Sequence, residues 1–179
     1  AIATALTGTI GAQSATASRL PTSNMAAYRA YHEALALSQD LRDLTSEAYR
    51  DLLRKAGTLD PEYTRPWAEL VGSLALSNFG GEAPDEMAEL EQALAHIQAV
   101  APGSADALIA QAYFTYYIIK DYELAHDVAM QAQALAPSDT RLVAMQSWIE
   151  RRLGDYDARV DTLRLARELD PRNPWWTNT

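Results

Sequence analysis

The sequence contains no cysteine, and its basic residues are outnumbered by its acidic ones. Without cysteine there is no disulfide, no thiol nucleophile and no zinc–thiolate site. The 24 acidic residues exceed the 15 lysines and arginines, which gives a formal net charge of −9. Binding to phosphate backbones or anionic membranes needs clustered cations, so this balance argues against both partners. The composition fits a reducing compartment, and we expect a cytoplasmic protein.

Glycine and proline are also scarce, with 8 of each in 179 residues. Alanine and leucine dominate the remainder, a composition that favours helices. We therefore expect an all-α fold, and the chain is long enough to bury a sizeable core.

The first 23 residues differ from the rest in composition. Residues 1–18 carry no charge, yet they are too rich in threonine, serine, glutamine and glycine for a membrane span. They also lack the basic start of a signal peptide. We expect residues 1–23 to be an Ala-rich helix or linker. Because the chain begins with alanine, we also expect it to be a piece of a longer or processed protein.

Four similar phrases recur along the chain, and each closes with a proline. Their steps are 41, 35 and 34 residues, and the prolines are Pro61, Pro102, Pro137 and Pro171. A period of this size predicts stacked structural units that more often bind a partner than convert a substrate.

Each unit is predicted to be two helices joined by a turn. Asp121 and Asp155 are placed to cap the second helix of their units, and Gly154 suits a left-handed helix end. Tyr122 and Tyr156 follow these aspartates, so we expect each to wedge between the two helices of its unit. The predicted turns are Gln39–Leu44, Asn78–Pro84, Lys120–Asp121 and Gly154–Asp155.

Two further features refine the units. Ala125, Ala129 and Ala132 share one helix face, where small side chains let two helices approach closely. The turn Asn78–Asp85 carries about seven residues more than the shorter turns. We expect it to be mobile and removable at little cost, because loop entropy changes slowly with length.

These residues resemble the tetratricopeptide repeat, whose units begin with a Trp-x-x-Leu pattern and close with a proline. Trp67 and Leu70 match the opening positions, although Gly72 falls one place late. The resemblance covers Asn24 to Pro171. It implies a right-handed superhelix of about four antiparallel helix pairs within residues 24–179.

The phrase Arg19–Tyr28 carries a second resemblance. It is similar to the junction at which bacterial class III adenylate cyclases, or regulators with a TolB-like domain, pass into C-terminal repeats. The resemblance implies a module of a larger signalling protein.

No residue pattern predicts catalysis, a cofactor or a metal. His32, His96 and His126 have no metal-ligand spacing, and a structural or solvated role is the commoner one for such residues. The Gly80–Gly81 pair lacks the lysine of a phosphate loop. We expect a non-enzymatic chain with no cofactor.

The resemblance also implies which residues line the concave groove, because the first helix of each unit does so in this family. Those positions hold Phe114, Tyr117, Trp148, Arg151 and Arg152. The functional interpretation is an aromatic, locally basic groove for a protein or peptide, or for a second copy of the chain. The alternative is a sensory groove that takes a small molecule. Ordinary packing between repeats competes with both.

The end of the chain reads as a further unit cut short. Trp175 and Trp176 are costly to leave in water. We expect at least one of them to fold onto the helix Ala158–Leu169, or to bury in a second copy of the chain.

Overall fold

The computed structural model describes residues 21–38, 41–81 and 83–171, and these ranges are helical without any strand. The predicted all-α fold is confirmed. The helices are α1 Met25–Leu37, the short α2 Leu41–Leu44, α3 Glu47–Leu59, α4 Thr64–Ser77, α5 Pro84–Val100, α6 Ala105–Phe114, α7 Tyr122–Leu135, α8 Thr140–Leu153 and α9 Tyr156–Leu169.

The helices pack in four successive pairs: α1 with α3, α4 with α5, α6 with α7, and α8 with α9. The pairs join through contacts of α3 with α4, α4 with α6, and α7 with α8. All four predicted turns fall between the helices of a pair, and the first of them contains α2. The predicted linker, residues 1–23, lies almost wholly outside the described ranges and stays a prediction.

One main core runs from α1 to α8, and a small separate cluster of Val143 and Ala166 joins α8 to α9. Its large side chains are fully buried and come from most of the helices. They include Tyr49, Leu53, Leu70, Leu74, Leu90, Ile97, Ile109, Leu142, Met145 and Ile149. Each unit buries its apolar faces against its neighbours, as the repeat period predicted.

Local capping chemistry sets the helix ends in the last two units. The Asp121 side chain accepts a hydrogen bond from the Leu124 amide at 3.0 Å, and Asp155 accepts one from the Ala158 amide at 3.0 Å. Gly154 ends α8 at a φ of 79°, a left-handed conformation that glycine adopts without a steric penalty. The predicted caps are confirmed.

The small residues of α7 are where the sequence predicted close packing. Ala125, Ala129 and Ala132 are completely buried. Alanine on this face lets the α7 backbone approach its neighbours closely.

A π-helical turn, Thr115–Ile119, follows α6 and ends at Lys120. The Lys120 amide donates to the Thr115 carbonyl at 2.8 Å, which closes the wider turn. Tyr113, Tyr116 and Tyr117 are all buried. The wider turn alters the angular spacing of these side chains, so more of this aromatic run faces the core than a regular helix allows.

The two tyrosines that follow the capping aspartates do not share one environment. Tyr122 is half-buried, and its ring lies 5.3 Å from the ring of Tyr116. Tyr156 is 63% exposed, so the prediction that it wedges between α8 and α9 is wrong. The corresponding aromatic partner is missing in the last unit, where Glu150 stands 34 residues after Tyr116. Trp175 and Trp176 lie outside the described residues.

The turn after α4 is more structured than expected. Asn78 is buried, and its amide group donates to the Leu74 carbonyl at 3.1 Å and to Glu86 at 3.0 Å. The Phe79 ring meets the ring of Tyr117 edge-on at 5.9 Å. The sequence did not predict these contacts, because the glycines made the turn look like a surface loop. The mobility of the turn and the small cost of shortening it stay predictions.

Gly57 of α3 lies against the Trp67 ring of α4, and this contact yields a prediction. A Cβ at position 57 would fall 2.5–2.8 Å from three atoms of that ring. Alanine favours a helix over glycine by about 1 kcal/mol, but the clash dominates. We expect Gly57→Ala to destabilise the fold by about 1–3 kcal/mol in urea unfolding. The control is Gly80→Ala, where nothing lies within 4 Å of the new Cβ. Equal effects of the two substitutions would contradict this assignment.

Candidate functional site

The structure brings Tyr117, Trp148, Arg151 and Arg152 near one another, and the five predicted groove residues differ in exposure. Tyr117 is buried, whereas Phe114 and Trp148 are half-buried. Arg151 and Arg152, from the end of α8, are exposed. The rings of Tyr117 and Trp148 lie 6.5 Å apart, so the structure joins the third and fourth units at this point.

Tyr117 is the centre of an aromatic cluster. Its ring meets the ring of Tyr116 edge-on at 4.8 Å and stacks on that of Tyr113 at 6.4 Å. Phe79, from the turn after α4, completes the cluster. Because Tyr117 is buried among these rings, its main role is to hold them in position, and it offers little surface to a ligand.

Two cations, Lys120 and Arg152, lie over rings of this cluster, and a third, Arg151, acts on it electrostatically. The Lys120 ammonium is 4.9 Å from the centre of the Phe79 ring, and the Arg152 guanidinium is 5.5 Å from it. Arg152 also donates from Nε to the Tyr116 hydroxyl at 3.3 Å. Arg151 lies close enough to oppose electrostatically the rise that burial causes in the pKa of Tyr117. We call Phe79, Lys120, Trp148, Arg151 and Arg152 the cationic aromatic surface.

These three cations have no acidic partner within the described ranges. No carboxylate there lies within 4 Å of Lys120, Arg151 or Arg152. On a chain of net charge −9, an unpaired positive group beside aromatic rings suits an acidic ligand.

A second site, a polar cleft of about 330 Å³, opens between the first two units and the start of the last unit. Helices α1 and α4 form one side, and the connection from α7 to α8 forms the other. Its lining residues are Tyr31, Leu35, Arg65, Glu69, Ala136, Ser138, Asp139, Thr140 and Arg141.

Arg141 lies at the floor of this cleft and contacts three carboxylates. Its guanidinium donates to both oxygens of Asp139, the closest at 2.6 Å. It also donates to Asp106 at 2.8 Å and to Glu69 at 3.4 Å. Thr64 donates to the second oxygen of Asp106 at 2.7 Å. This network joins α4, α6 and α8.

The carboxylates of the network respond differently to burial. Burial raises the pKa of Glu69 above its ordinary value, and the nearby Arg141 offsets only part of that rise. Burial also acts to raise the pKa of Asp139, but the hydrogen bonds and charge of Arg141 outweigh it and hold that pKa below the ordinary value. Arg141 therefore stabilises the charged form of Asp139 more fully than that of Glu69.

Sequence reasoning missed this network, although one signal was present. Asp106 and Arg141 are separated by 35 residues, one repeat, so they occupy corresponding positions at the starts of α6 and α8. Opposite charges at one repeat position can meet when units stack. Locally, however, Asp106 and Asp139 look like ordinary residues at helix N-termini.

The chain matches no protein-family model and no curated protein. Within the part that the structure describes, no helix is both long and apolar enough to cross a membrane. No group of three histidine, cysteine or acidic residues in those same ranges is arranged to hold a metal ion.

Proposed function

We propose that this chain is a non-catalytic interaction module of tetratricopeptide-repeat type, with its helix pairs stacked into a right-handed superhelix. It binds an acidic segment of a protein partner through the cationic aromatic surface. The four helix pairs, their spacing of 34 to 41 residues and the packing of α4 on α6 support this proposal. A place within a larger cytoplasmic signalling protein stays a prediction.

The observation that carries the function is the group of unpaired cations on an otherwise acidic chain. Arginine and tryptophan are the residue types that most often dominate binding interfaces, and both are present here. Lys120, Arg151 and Arg152 supply positive charge, while Trp148 supplies half-buried apolar area. A segment that combines aspartate or glutamate with an apolar side chain complements both properties.

The backbone at Lys120 gives a second reason. Its φ of 62° lies in the left-handed region, and it is the only residue other than glycine with positive φ among those described. The corresponding position one repeat later is Gly154, which adopts this conformation freely. A strained residue is more common at functional sites, and here the strain places an ammonium over Phe79.

The test uses random short peptides displayed on phage and selected against the immobilised chain. We expect the selected peptides to be enriched in aspartate and glutamate. Arg151→Glu should weaken the best of them by about tenfold or more, because it replaces an attraction with a repulsion. Fluorescence anisotropy at low and high salt measures this, and added salt should weaken binding.

The matched control is Arg29→Glu, an equal charge change at an exposed position of α1. Selection of neutral or basic peptides would refute the proposal. Equal effects of Arg151→Glu and Arg29→Glu on peptide binding would refute it as well. Analytical ultracentrifugation checks for a second copy as the occupant. If the chain dimerises, and Arg151→Glu abolishes the dimer while Arg29→Glu does not, the partner is a second copy of the chain and not a separate protein.

A further inference from the structure

The polar cleft holds more negative than positive charge. Three carboxylates, Glu69, Asp106 and Asp139, surround the one buried guanidinium of Arg141. Counting Arg65 at the exposed edge still leaves one negative charge in excess. A buried charge without a counterion is costly, so a protein that keeps one has either a proton or a cation to offset it.

Tyr31 points independently to a ligand in this cleft. Its side chain is only 4% exposed, and it lines the cleft. Burial and, next, the negative charge of Glu69 raise the pKa of Tyr31, while Arg141 and Arg65 oppose the rise. Tyr31 lines the cleft together with these three residues, and its hydroxyl makes no hydrogen bond with any other described residue. A tyrosine hydroxyl both donates and accepts, so it can bond to a molecule held in the cleft.

The arrangement of the remaining groups limits what can bind. Glu69 and Asp139 line the cleft directly, whereas Asp106 lies behind Arg141. One oxygen of Glu69 accepts from the Tyr49 hydroxyl at 3.1 Å, and the other faces Arg141 at the long distance of 3.4 Å. Carboxylate oxygens accept more than one hydrogen bond, so Glu69 retains acceptor capacity.

We propose that the cleft between α1, α4 and α8 binds a small organic cation carrying an ammonium or guanidinium group. The cation donates to Glu69 and to the Tyr31 hydroxyl, and it offsets the excess negative charge. A volume of about 330 Å³ is at the lower end for ligand pockets and suits a molecule the size of an amino acid. The cleft shares no lining residue with the cationic aromatic surface and takes a ligand of opposite charge.

The experiment is isothermal titration calorimetry of the full chain with agmatine, L-arginine and L-citrulline. Agmatine and arginine carry the guanidinium, whereas citrulline has a neutral group of nearly the same shape. We expect binding of agmatine and arginine and at least tenfold weaker binding of citrulline. A capped peptide with one arginine distinguishes the source: binding as tight as that of arginine indicates that the cleft takes a partner's side chain.

Two variants locate the binding. Tyr31→Phe removes only a hydroxyl that makes no hydrogen bond with the described residues, so it should leave the fold intact and weaken agmatine binding at least threefold. Glu69→Gln removes one charge while keeping an acceptor for Tyr49, and it should weaken the binding of agmatine at least tenfold. The control is Glu91→Gln, an equal charge change at an exposed position of α5.

The proposal fails if neither agmatine nor arginine binds in the millimolar range. It also fails if citrulline binds as well as arginine does, or if Tyr31→Phe and Glu69→Gln both match Glu91→Gln. Thermal unfolding of each variant without ligand shows that a loss of binding is not a loss of folding.

Discussion

Replacing Arg141 with methionine will destabilise the fold by about 3–5 kcal/mol, the range for breaking a buried ion pair from one side. The substitution keeps much of the side-chain length but leaves Glu69, Asp106 and Asp139 without their shared cation. All four side chains are at most 15% exposed, so water cannot replace the lost hydrogen bonds fully. Urea unfolding followed by circular dichroism measures the loss.

The pH dependence of this loss identifies its cause. Arg141 depresses the pKa of Asp139, so the stability from this pair is present above the unfolded aspartate pKa of about 4. It is lost as the pH falls through the lower folded pKa. In Arg141→Met, protonation relieves the unpaired carboxylates. The difference in the free energy of unfolding between the unsubstituted chain and Arg141→Met will therefore become smaller as the pH falls from about 7 to about 4.5.

Arg164→Met is the control, since Asp161, on an exposed face of α9, is the one carboxylate that Arg164 pairs with among the described residues. It should change stability by no more than about 0.5 kcal/mol. If the stability difference caused by Arg141→Met stays constant with pH, packing of the Arg141 side chain, and not its charge, holds α4, α6 and α8 together.

Arg50→Met should have the second-largest effect, a loss of about 2–4 kcal/mol. The Arg50 side chain is 3% exposed, and its Nε donates to the Ser73 hydroxyl at 2.8 Å. It also donates to Glu86 at 3.0 Å and to the hydroxyl of Ser77. One guanidinium therefore joins α3 to both helices of the next pair. Thermal and urea unfolding measure the loss.

Arg54 provides the comparison, because it lies one turn later on α3 and pairs with Glu89 while 30% exposed. Arg54→Met should cost about 1 kcal/mol or less, since water screens exposed pairs. If Arg54→Met proves as damaging as Arg50→Met, burial is not what separates the two arginines.

The sequence predicted the features that depend on neighbouring residues. Asp121, Asp155 and Gly154 end or begin helices through contacts within a few positions, so their roles could be identified without a structure. The buried alanines of α7 followed from the helical period in the same way.

Features that depend on distant residues could not be predicted. Tyr122 and Tyr156 share the same preceding residue, but only Tyr122 has an aromatic side chain beside it in space. The extra residues after α4 looked like a flexible insertion, because nothing local shows that Asn78 reaches Glu86 or that Phe79 reaches Tyr117.

The candidate site also contains some residues that were predicted from the sequence and others that were not. Trp148, Arg151 and Arg152, the residues of the cationic aromatic surface on α8, were expected from the tetratricopeptide resemblance, but Phe79 and Lys120 were not predicted. Their contribution depends on the π-helical turn and on the packing of the turn after α4. The polar cleft depends on charges from separate units and was not predicted at all.

The left-handed backbone at Lys120 also bears on how such a chain could be engineered. Statistical or energy-based redesign for stability favours glycine at a position with a φ of 62°, with a gain of about 1 kcal/mol. That change would remove the cation above Phe79. A library of stabilised variants should therefore keep lysine at position 120. Selection for melting temperature alone would favour glycine there, and the resulting proteins would be more stable but would bind more weakly through the cationic aromatic surface.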